Sequence, residues 1–182
     1  ENGADIVIAQ GNEAGGHRGM FMTADLSTQV STKALVENLS QVLSIPVIAA
    51  GGIASNSDVQ EMTNLGAAGV QVGTSFLLCD EAKTSKVHRA AVKSESHETA
   101  MTNIFSGRPA RGISNKIMRE LNFISDAAPE YPYASIALST LKAKAESLNK
   151  SDFSSLWAGT NASGCKEVPA KQIVLELCSS SS

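Results

Sequence analysis

Three short apolar runs in the first half of the chain alternate with segments of helical periodicity. The runs cover residues 5–9 (DIVIA), 46–50 (PVIAA) and 69–72 (GVQV), and a glycine follows each within two residues. Their apolar positions are continuous rather than alternating, which is typical of strands buried on both faces of a parallel sheet. The pattern therefore predicts strand, helix, strand, helix, strand, the repeating unit of a parallel α/β fold.

The segments between these runs predict amphipathic helices. In the first, apolar side chains recur at helical spacing, at Leu35, Leu39, Val42 and Leu43. In the second, residues 57–60 (SDVQ) have the form of a capping box, and Gly66 is placed to end the helix. Residues 80–94, after the third run, are predicted to form a further helix with a polar face.

The second half lacks this alternation. It predicts a loop over residues 105–112 (FSGRPARG), a helix from Ser114 through Leu121, helices over 134–148 and 170–178, and a disordered serine tail over 179–182. We therefore divide the chain into 1–100, with the βα units, and 101–182, a helical and loop extension packed on them. The chain opens at Glu1 without a methionine, so we expect earlier strands of a larger domain to be missing.

Composition narrows the possible partners. The 182 residues carry 15 basic and 18 acidic side chains, a net charge of −3, so a nucleic-acid partner is not expected. No apolar stretch approaches the roughly 20 residues of a membrane helix, so no membrane partner is expected either. The three cysteines are scattered and predict reduced thiols in an intracellular, cytoplasmic protein. The oligomeric state is not fixed by the sequence.

The loop after the first strand holds the strongest candidate for chemistry. Residues 9–19 (AQGNEAGGHRG) place His17 among glycines, and an imidazole with an ordinary pKa near 6.5 exchanges protons at neutral pH. Glu13 and His17 have the i, i+4 spacing of a helical metal pair, but the glycines oppose a helix and no third ligand is evident, so no metal is predicted. His88 and His97 are expected on a solvated surface.

Glycines also follow the second and third strands, at Gly51-Gly52 and at Gly73-Thr74. Consecutive strand ends of this kind form the phosphate site of many (β/α)8 barrels, although glycines also end strands for reasons of space alone. Arg108 and Arg111 either contact an anion or tie down their loop. Trp157 is expected in the core or in a lid.

These motifs resemble those of a known family. Residues 10–19, together with 46–53 (PVIAAGGI) and 66–74 (GAAGVQVGT), are similar to the C-terminal half of class I nitronate monooxygenases, formerly 2-nitropropane dioxygenases. Residues 102–112 and 156–159 (LWAG) extend the resemblance over nearly the whole chain. After that tryptophan motif the family usually has glutamine, whereas Thr160 and residues 161–164 (NASG) follow here.

The resemblance implies an FMN enzyme on a (β/α)8 TIM barrel with an added helical segment, of which this chain holds the last three βα units. Such enzymes use O2 to oxidise nitroalkanes and alkyl nitronates, such as propionate 3-nitronate, to a carbonyl compound and nitrite. By the same resemblance His17 is the catalytic base. The residues implied to lie against FMN are Gln10 and Gly15 near the flavin, and Gly52, Gln71, Val72, Gly73 and Thr74 on its phosphate side.

Two other interpretations stay open. An FMN-dependent enoyl-acyl-carrier-protein reductase has a very similar glycine and histidine loop, and it consumes NADH. Alternatively, the chain is a catalytically incomplete half barrel, because a full barrel needs about 250 residues and half of one leaves sheet edges unpaired.

Overall fold

The computed structural model describes residues 3–94 and 97–179, which form six strands, seven α-helices and two 3-10 helices divided between two compact units. Unit 1 comprises Glu1–Ala14, Gly19–Ala82 and Asn161–Ser182, and unit 2 comprises Gly15–Arg18 and Lys83–Thr160. The predicted division at residue 100 concerns barrel units and stays a prediction. In chain order the elements are β1 Val7–Gln10, β2 Gly16–His17, α1 Thr32–Val42, β3 Val47–Ala50, α2 Asn56–Asn64, β4 Gly69–Gln71, α3 Lys86–Lys93, β5 Thr99–Thr102, β6 Ala110–Ile113, α4 Lys116–Glu120, α5 Tyr133–Ala137, α6 Ser139–Ser147 and α7 Ala170–Cys178.

Unit 1 is built on a parallel three-stranded sheet. Its order is β1-β3-β4, with Ile8 opposite Ile48 and Ile48 opposite Gly69. The predicted strand–helix alternation is therefore confirmed for the first half of the chain. β1 runs one residue further than expected, so Gln10 occupies the last position of the strand.

The core of unit 1 lies between this sheet and its helices. Ala9, Val36 and Ala49 are fully buried, and they pack with Val47, Ile53, Met62 and Ala67. Each large aliphatic side chain removed from water contributes about 1.5–3 kcal/mol, and this shared burial holds α1 and α2 against the strands.

The capping box of α2 lies two residues earlier than predicted. The Ser55 hydroxyl accepts from the Asp58 N–H, and the Asp58 carboxylate accepts from the N–H groups of Ala54 and Ser55. Asp58, and not Gln60, completes the capping box because it is the third residue of the helix, from which its short carboxylate reaches back to the N-cap backbone. Gly66, at φ +102°, follows the end of the helix as expected.

The C-terminal helix of the chain belongs to unit 1 and matches its predicted range, 170–178. It packs against α2, where the Asn56 side-chain amide donates to the Leu177 carbonyl at 2.8 Å. Ile173 and Leu177 are buried with Cys79, just after a 3-10 helix at Thr74–Leu78. The prediction for the serine tail falls mainly on 180–182, which lie outside the described residues.

Unit 2 contains an antiparallel sheet that the sequence did not predict. Its order is β2-β6-β5, and His17 on β2 lies opposite Ala110 on β6. The prediction of a loop through residue 112 is therefore wrong at its end, since β6 begins at Ala110. The sequence of β6 contains an arginine and a glycine, which interrupt the apolar pattern of a strand. Its backbone nevertheless pairs with β2 on one side and β5 on the other.

The helices of unit 2 are shorter than predicted. The helix predicted from residue 80 begins only at Lys86, because the Ser85 hydroxyl caps it by accepting from the His88 N–H. The helix predicted over 134–148 is interrupted at Leu138, which separates α5 from α6. Asn115 caps α4, and Ile117 and Met118 on that helix are buried with Ile104 and Phe105.

Candidate functional site

His17 stands at the centre of a polar and aromatic cluster in unit 2. It lies on β2, partly exposed, and its Nε2 is 2.7 Å from the hydroxyl of Ser106. That hydroxyl also lies 3.1 Å from the Arg108 carbonyl, to which it donates. Ser106 is itself buried, so a fixed group holds one ring nitrogen of a histidine whose ring still reaches solvent.

Aromatic rings contact two sides of the same imidazole. The Trp157 ring centroid is 5.5 Å from that of His17 in a tilted arrangement, and the Tyr131 centroid is 6.0 Å away, edge to face. Trp157 also meets Phe105 edge to face at 5.7 Å, which joins it to the core of unit 2. Trp157 therefore packs on the core of unit 2, which is one of the two predicted locations, a core or a lid. It also contacts His17, the candidate base.

The surroundings of His17 favour its neutral form. Partial burial lowers the pKa of the imidazole below its ordinary value, and the nearby positive charge of Arg108 lowers it further. A neutral imidazole keeps a lone pair that can accept a proton at neutral pH. The cluster is thus chemically suited to general base catalysis.

The two arginines considered as anion contacts differ in their surroundings. Arg111 lies on β6, and its guanidinium donates to the carbonyl and hydroxyl oxygens of Thr99 on β5, at 3.4 and 3.3 Å. This contact supports the interpretation that Arg111 ties its segment down. Arg108 instead acts on His17 through its charge.

Gly15 has a packing reason to be glycine. A Cβ at this position would lie 2.5 Å from the backbone atoms of Ala158 and Gly159, closer than real side chains come. The tryptophan motif therefore packs directly on the residue before β2. This explains the glycine without a ligand, and the assignment of Gly15 to the flavin site stays a prediction.

The expectation that His88 and His97 lie on a solvated surface is wrong. Both are half-buried in unit 2, and the His97 Nε2 is 3.3 Å from the Gly159 carbonyl. Burial lowers the pKa of His88. Neither belongs to the cluster around His17, and both are explained by packing beneath the tryptophan motif.

In unit 1, side chains at the end of β1 and just after it form hydrogen bonds with Gly19 and with Thr32. The Gln10 side-chain oxygen accepts from the Gly19 N–H at 2.8 Å. The Glu13 carboxylate accepts from both the N–H and the hydroxyl of Thr32, at 2.9 and 2.7 Å, at the start of α1. Glu13 thus serves as a helix cap, and the described residues contain no group of three histidine, cysteine or acidic side chains able to hold a metal.

The two predicted phosphate loops follow β3 and β4 in the same unit. Gly51 and Gly52 have φ values of +125° and +72°, a conformation that favours glycine. No other atom lies within 4 Å of the position that a Cβ would take at Gly73. Gly73 precedes the 3-10 helix at Thr74–Leu78 and caps it with no side-chain hydrogen bond. Because β3 and β4 are parallel neighbours, both loops leave the same edge of the sheet.

The first turn of α2 does not contribute an anion site. The Asp58 carboxylate already accepts from the amides of Ala54 and Ser55, and its negative charge opposes a second anion there. The candidate donors are therefore backbone N–H groups of the loop tips, around Gly52 and around residues 73 and 74, with Gln71 and Val72 leading into the second tip. Their roles as a binding site stay predictions.

Several residues of these sites escaped the sequence analysis. Ser106 lies inside the motif of residues 105–112, and its burial, which marks it as a fixed partner of His17, is visible only in the structure. Tyr131 gave no pattern at all, since it meets His17 only through folding. Asn161 and Cys165 contact the predicted phosphate loops of unit 1, and no sequence pattern predicts these contacts because they form only on folding.

Comparison with known proteins finds solved structures that share this fold. In a solved structure, nitroalkane oxidase from Streptomyces ansochromogenes superposes with a TM-score of 0.87 at 34% identity, covering 96% of this chain and 51% of that one. FabK from Thermotoga maritima superposes with a TM-score of 0.73 at 33% identity, covering 96% of this chain and 53% of that one.

The chain belongs to the nitronate monooxygenase family, whose model matches residues 1–180. It is 40% identical over 180 residues to a probable nitronate monooxygenase of Bacillus subtilis, covering 98% of this chain and 52% of that protein. It is 39% identical over 182 residues to a nitronate monooxygenase of Pseudomonas aeruginosa, covering 96% and 50%. The family predicted from the motifs is confirmed, and the chain spans about half the length of these relatives.

No helix among the described residues is long and apolar enough to cross a membrane.

Proposed function

We propose that this chain is the C-terminal half of an FMN-dependent nitronate monooxygenase on a (β/α)8 barrel. The enzyme would use O2 to oxidise alkyl nitronates, with propionate 3-nitronate as a model substrate, to a carbonyl compound and nitrite. The observation that carries this proposal is the imidazole of His17 on β2, which is hydrogen-bonded to Ser106 and whose pKa is lowered by burial and by the charge of Arg108. Membership of the family and the likeness to nitroalkane oxidase support it.

His17 would act on neutral nitroalkanes by accepting the proton from the carbon that bears the nitro group. The electrons of that C–H bond then move onto the nitro group, which gives the nitronate anion and an imidazolium. Because Ser106 occupies Nε2 and donates its own hydrogen to Arg108, the proton would be accepted at Nδ1. Trp157 and Tyr131 contact the ring and would limit its rotation during this transfer.

Two features of the loops in unit 1 support a site for the phosphate of FMN. A side chain at Gly73 would fill the open space beside the backbone, and Gly52 adopts a conformation that other residues rarely enter. Gly52, Gly73 and Thr74 would hold the phosphate, and Gln10, Gln71 and Val72 of the same unit would lie nearer the rest of the cofactor. The assignment of Gly15 to the flavin rests on the family resemblance alone. When bound, FMN would accept electrons from the nitronate, chemistry that no side chain of this protein supplies.

Anaerobic reduction tests this function against its main alternative. The second candidate is an NADH-consuming enoyl-acyl-carrier-protein reductase, whose glycine and histidine loop residues 10–19 also resemble. We expect the FMN-loaded protein to lose its flavin absorbance when mixed with propionate 3-nitronate, and to keep it when mixed with NADH. Rapid bleaching by NADH alone would overturn the monooxygenase in favour of the reductase.

A substitution at His17 tests its role as base. In His17→Asn, turnover of neutral nitroalkanes should fall by about 10²-fold or more, the usual contribution of a general base. Preformed nitronates should still react, since they have no proton to lose. Measuring both substrates with the same enzyme preparation separates the two cases, and an equal loss on both would contradict the assignment.

A further inference from the structure

A turn near the C-terminus contacts both predicted phosphate loops of unit 1. This turn, residues 161–165 (NASGC), follows the tryptophan motif and is closed by a hydrogen bond from the Cys165 N–H to the Ala162 carbonyl at 2.9 Å. Inside it, the Asn161 side-chain oxygen accepts from the N–H and the hydroxyl of Ser163. Its two ends carry the donors that reach the loops.

Asn161 holds the loop after β3. Its side-chain amide donates to the carbonyl of Gly52 at 3.0 Å. That carbonyl shares a planar peptide group with the N–H of Ile53, and the two point in opposite directions. Holding the carbonyl therefore also sets the direction of the Ile53 N–H, at a glycine whose backbone would otherwise be free to rotate.

Cys165 holds the loop after β4 in the same manner. Its thiol donates to the carbonyl of Thr74 at 3.0 Å, which sets the direction of the Ser75 N–H on the other side of that peptide plane. Burial raises the pKa of this thiol to about 11, so it stays protonated and able to donate at neutral pH. The cysteine thus acts as a hydrogen-bond donor and not as a nucleophile.

Between these two donors, Gly164 packs tightly on both loops. A Cβ there would lie 2.5 Å from the Ser75 hydroxyl and 2.6 Å from the Ala54 carbonyl. Ser75 is fully buried, and its hydroxyl has no hydrogen-bond partner among the described residues. The close packing of Gly164 therefore limits movement of the Ser75 side chain. Three residues of the turn, Asn161, Gly164 and Cys165, thus contact the two loops.

We propose that residues 161–165 are a positioning element that fixes the peptide groups Gly52–Ile53 and Thr74–Ser75 in advance of anion binding. This inference rests on the proposed phosphate site and adds the residues that keep it ordered. Loops that are already ordered lose less entropy when they bind, so affinity for phosphate rises without any new contact to the ligand. Asn161 and Cys165 act through the loops and do not touch the phosphate.

The test uses paired substitutions in the full 182-residue chain, read by NMR order parameters of backbone amides. Asn161→Ala should lower the order parameter of Ile53 from about 0.85 toward about 0.6, while Ser75 changes little. Cys165→Ala should do the reverse, and Cys165→Ser, which keeps a donor, should resemble the parent chain. Asn103→Ala is the matched control, since Asn103 makes an equivalent 3.0 Å bond to the Ser125 carbonyl in unit 2.

Titration with inorganic phosphate gives the second readout. Asn161→Ala and Cys165→Ala should each weaken phosphate binding by about two- to tenfold, the value of one hydrogen bond, whereas Cys165→Ser and Asn103→Ala should not. Unchanged order parameters in both alanine variants would overturn the proposal, as would lost order with unaltered affinity. If the parent chain binds neither phosphate nor FMN, the proposed cofactor fails, while the order parameters still decide the role of the turn.

Discussion

Ser106 and Arg108 act on one imidazole from a single turn of the chain. The serine fixes Nε2 of His17 at 2.7 Å, while the arginine charge lowers the pKa of the ring. Both effects favour a neutral, oriented base. The motif around His17 was enough to predict the base itself, but its partner lies 89 residues away, a contact that only folding creates.

A residue-scale prediction concerns the pH dependence of His17. Arg108→Gln removes a positive charge that disfavours the imidazolium, so the pKa of His17 should rise. Since burial is the larger cause of the lowered pKa, the rise should stop short of the ordinary value. Because only the neutral ring accepts a proton, the increase of nitroalkane turnover with pH should then begin at higher pH.

NMR titration of the His17 ring measures this pKa directly. Arg119→Gln is the control, because Arg119 is an exposed cation of unit 2 that bonds to Ser114 and is not a cause of the His17 shift. A pKa that falls or stays constant in Arg108→Gln would contradict the electrostatic role of Arg108.

At the scale of elements, the parallel strands were predictable and the antiparallel ones were not. Runs of apolar residues mark β1, β3 and β4 because each strand packs side chains into the core of unit 1. The expected burial on both faces is wrong for β1, whose Ile8 is 54% exposed at the edge of the sheet. β2 has only two residues, and its pairing with β6 joins segments about ninety positions apart. No local pattern encodes such a pairing, so the sheet that carries His17 was taken for a loop.

Helix α2 supplies a prediction for stability. Met62 on its inner face is 3% exposed, packed among the aliphatic side chains between helix and sheet. Met62→Ala should lower the free energy of unfolding by about 2–5 kcal/mol, through lost burial and a residual cavity. Met22→Ala is a matched control, since Met22 is 98% exposed, and it should change stability by less than about 0.5 kcal/mol. Urea unfolding measures both, and equal effects would contradict the placement of Met62 in the core.

At the scale of the whole molecule, the described sheet of unit 1 is open. β1 forms one edge of the sheet; Ile8 on this strand and Ile6 just before it are 54% and 55% exposed. The chain spans about half the length of its relatives. The phosphate side of the proposed cofactor site nevertheless lies wholly within the residues of unit 1, as does the turn that orders it.

This arrangement predicts that the 182-residue chain recognises the phosphate of FMN by itself. FMN should bind about tenfold more tightly than riboflavin, which lacks the phosphate, since one charged hydrogen bond contributes roughly 1.5–3 kcal/mol. Inorganic phosphate should compete with FMN and not with riboflavin. Gly73→Ala should remove most of this preference for FMN, because the added methyl group fills the open space beside the loop. The substitution should leave the stability of the chain nearly unchanged, because no atom lies within 4 Å of that methyl group. Fluorescence titration of both flavins measures the preference, and equal affinity of the parent chain for FMN and riboflavin would show that its loops do not bind phosphate.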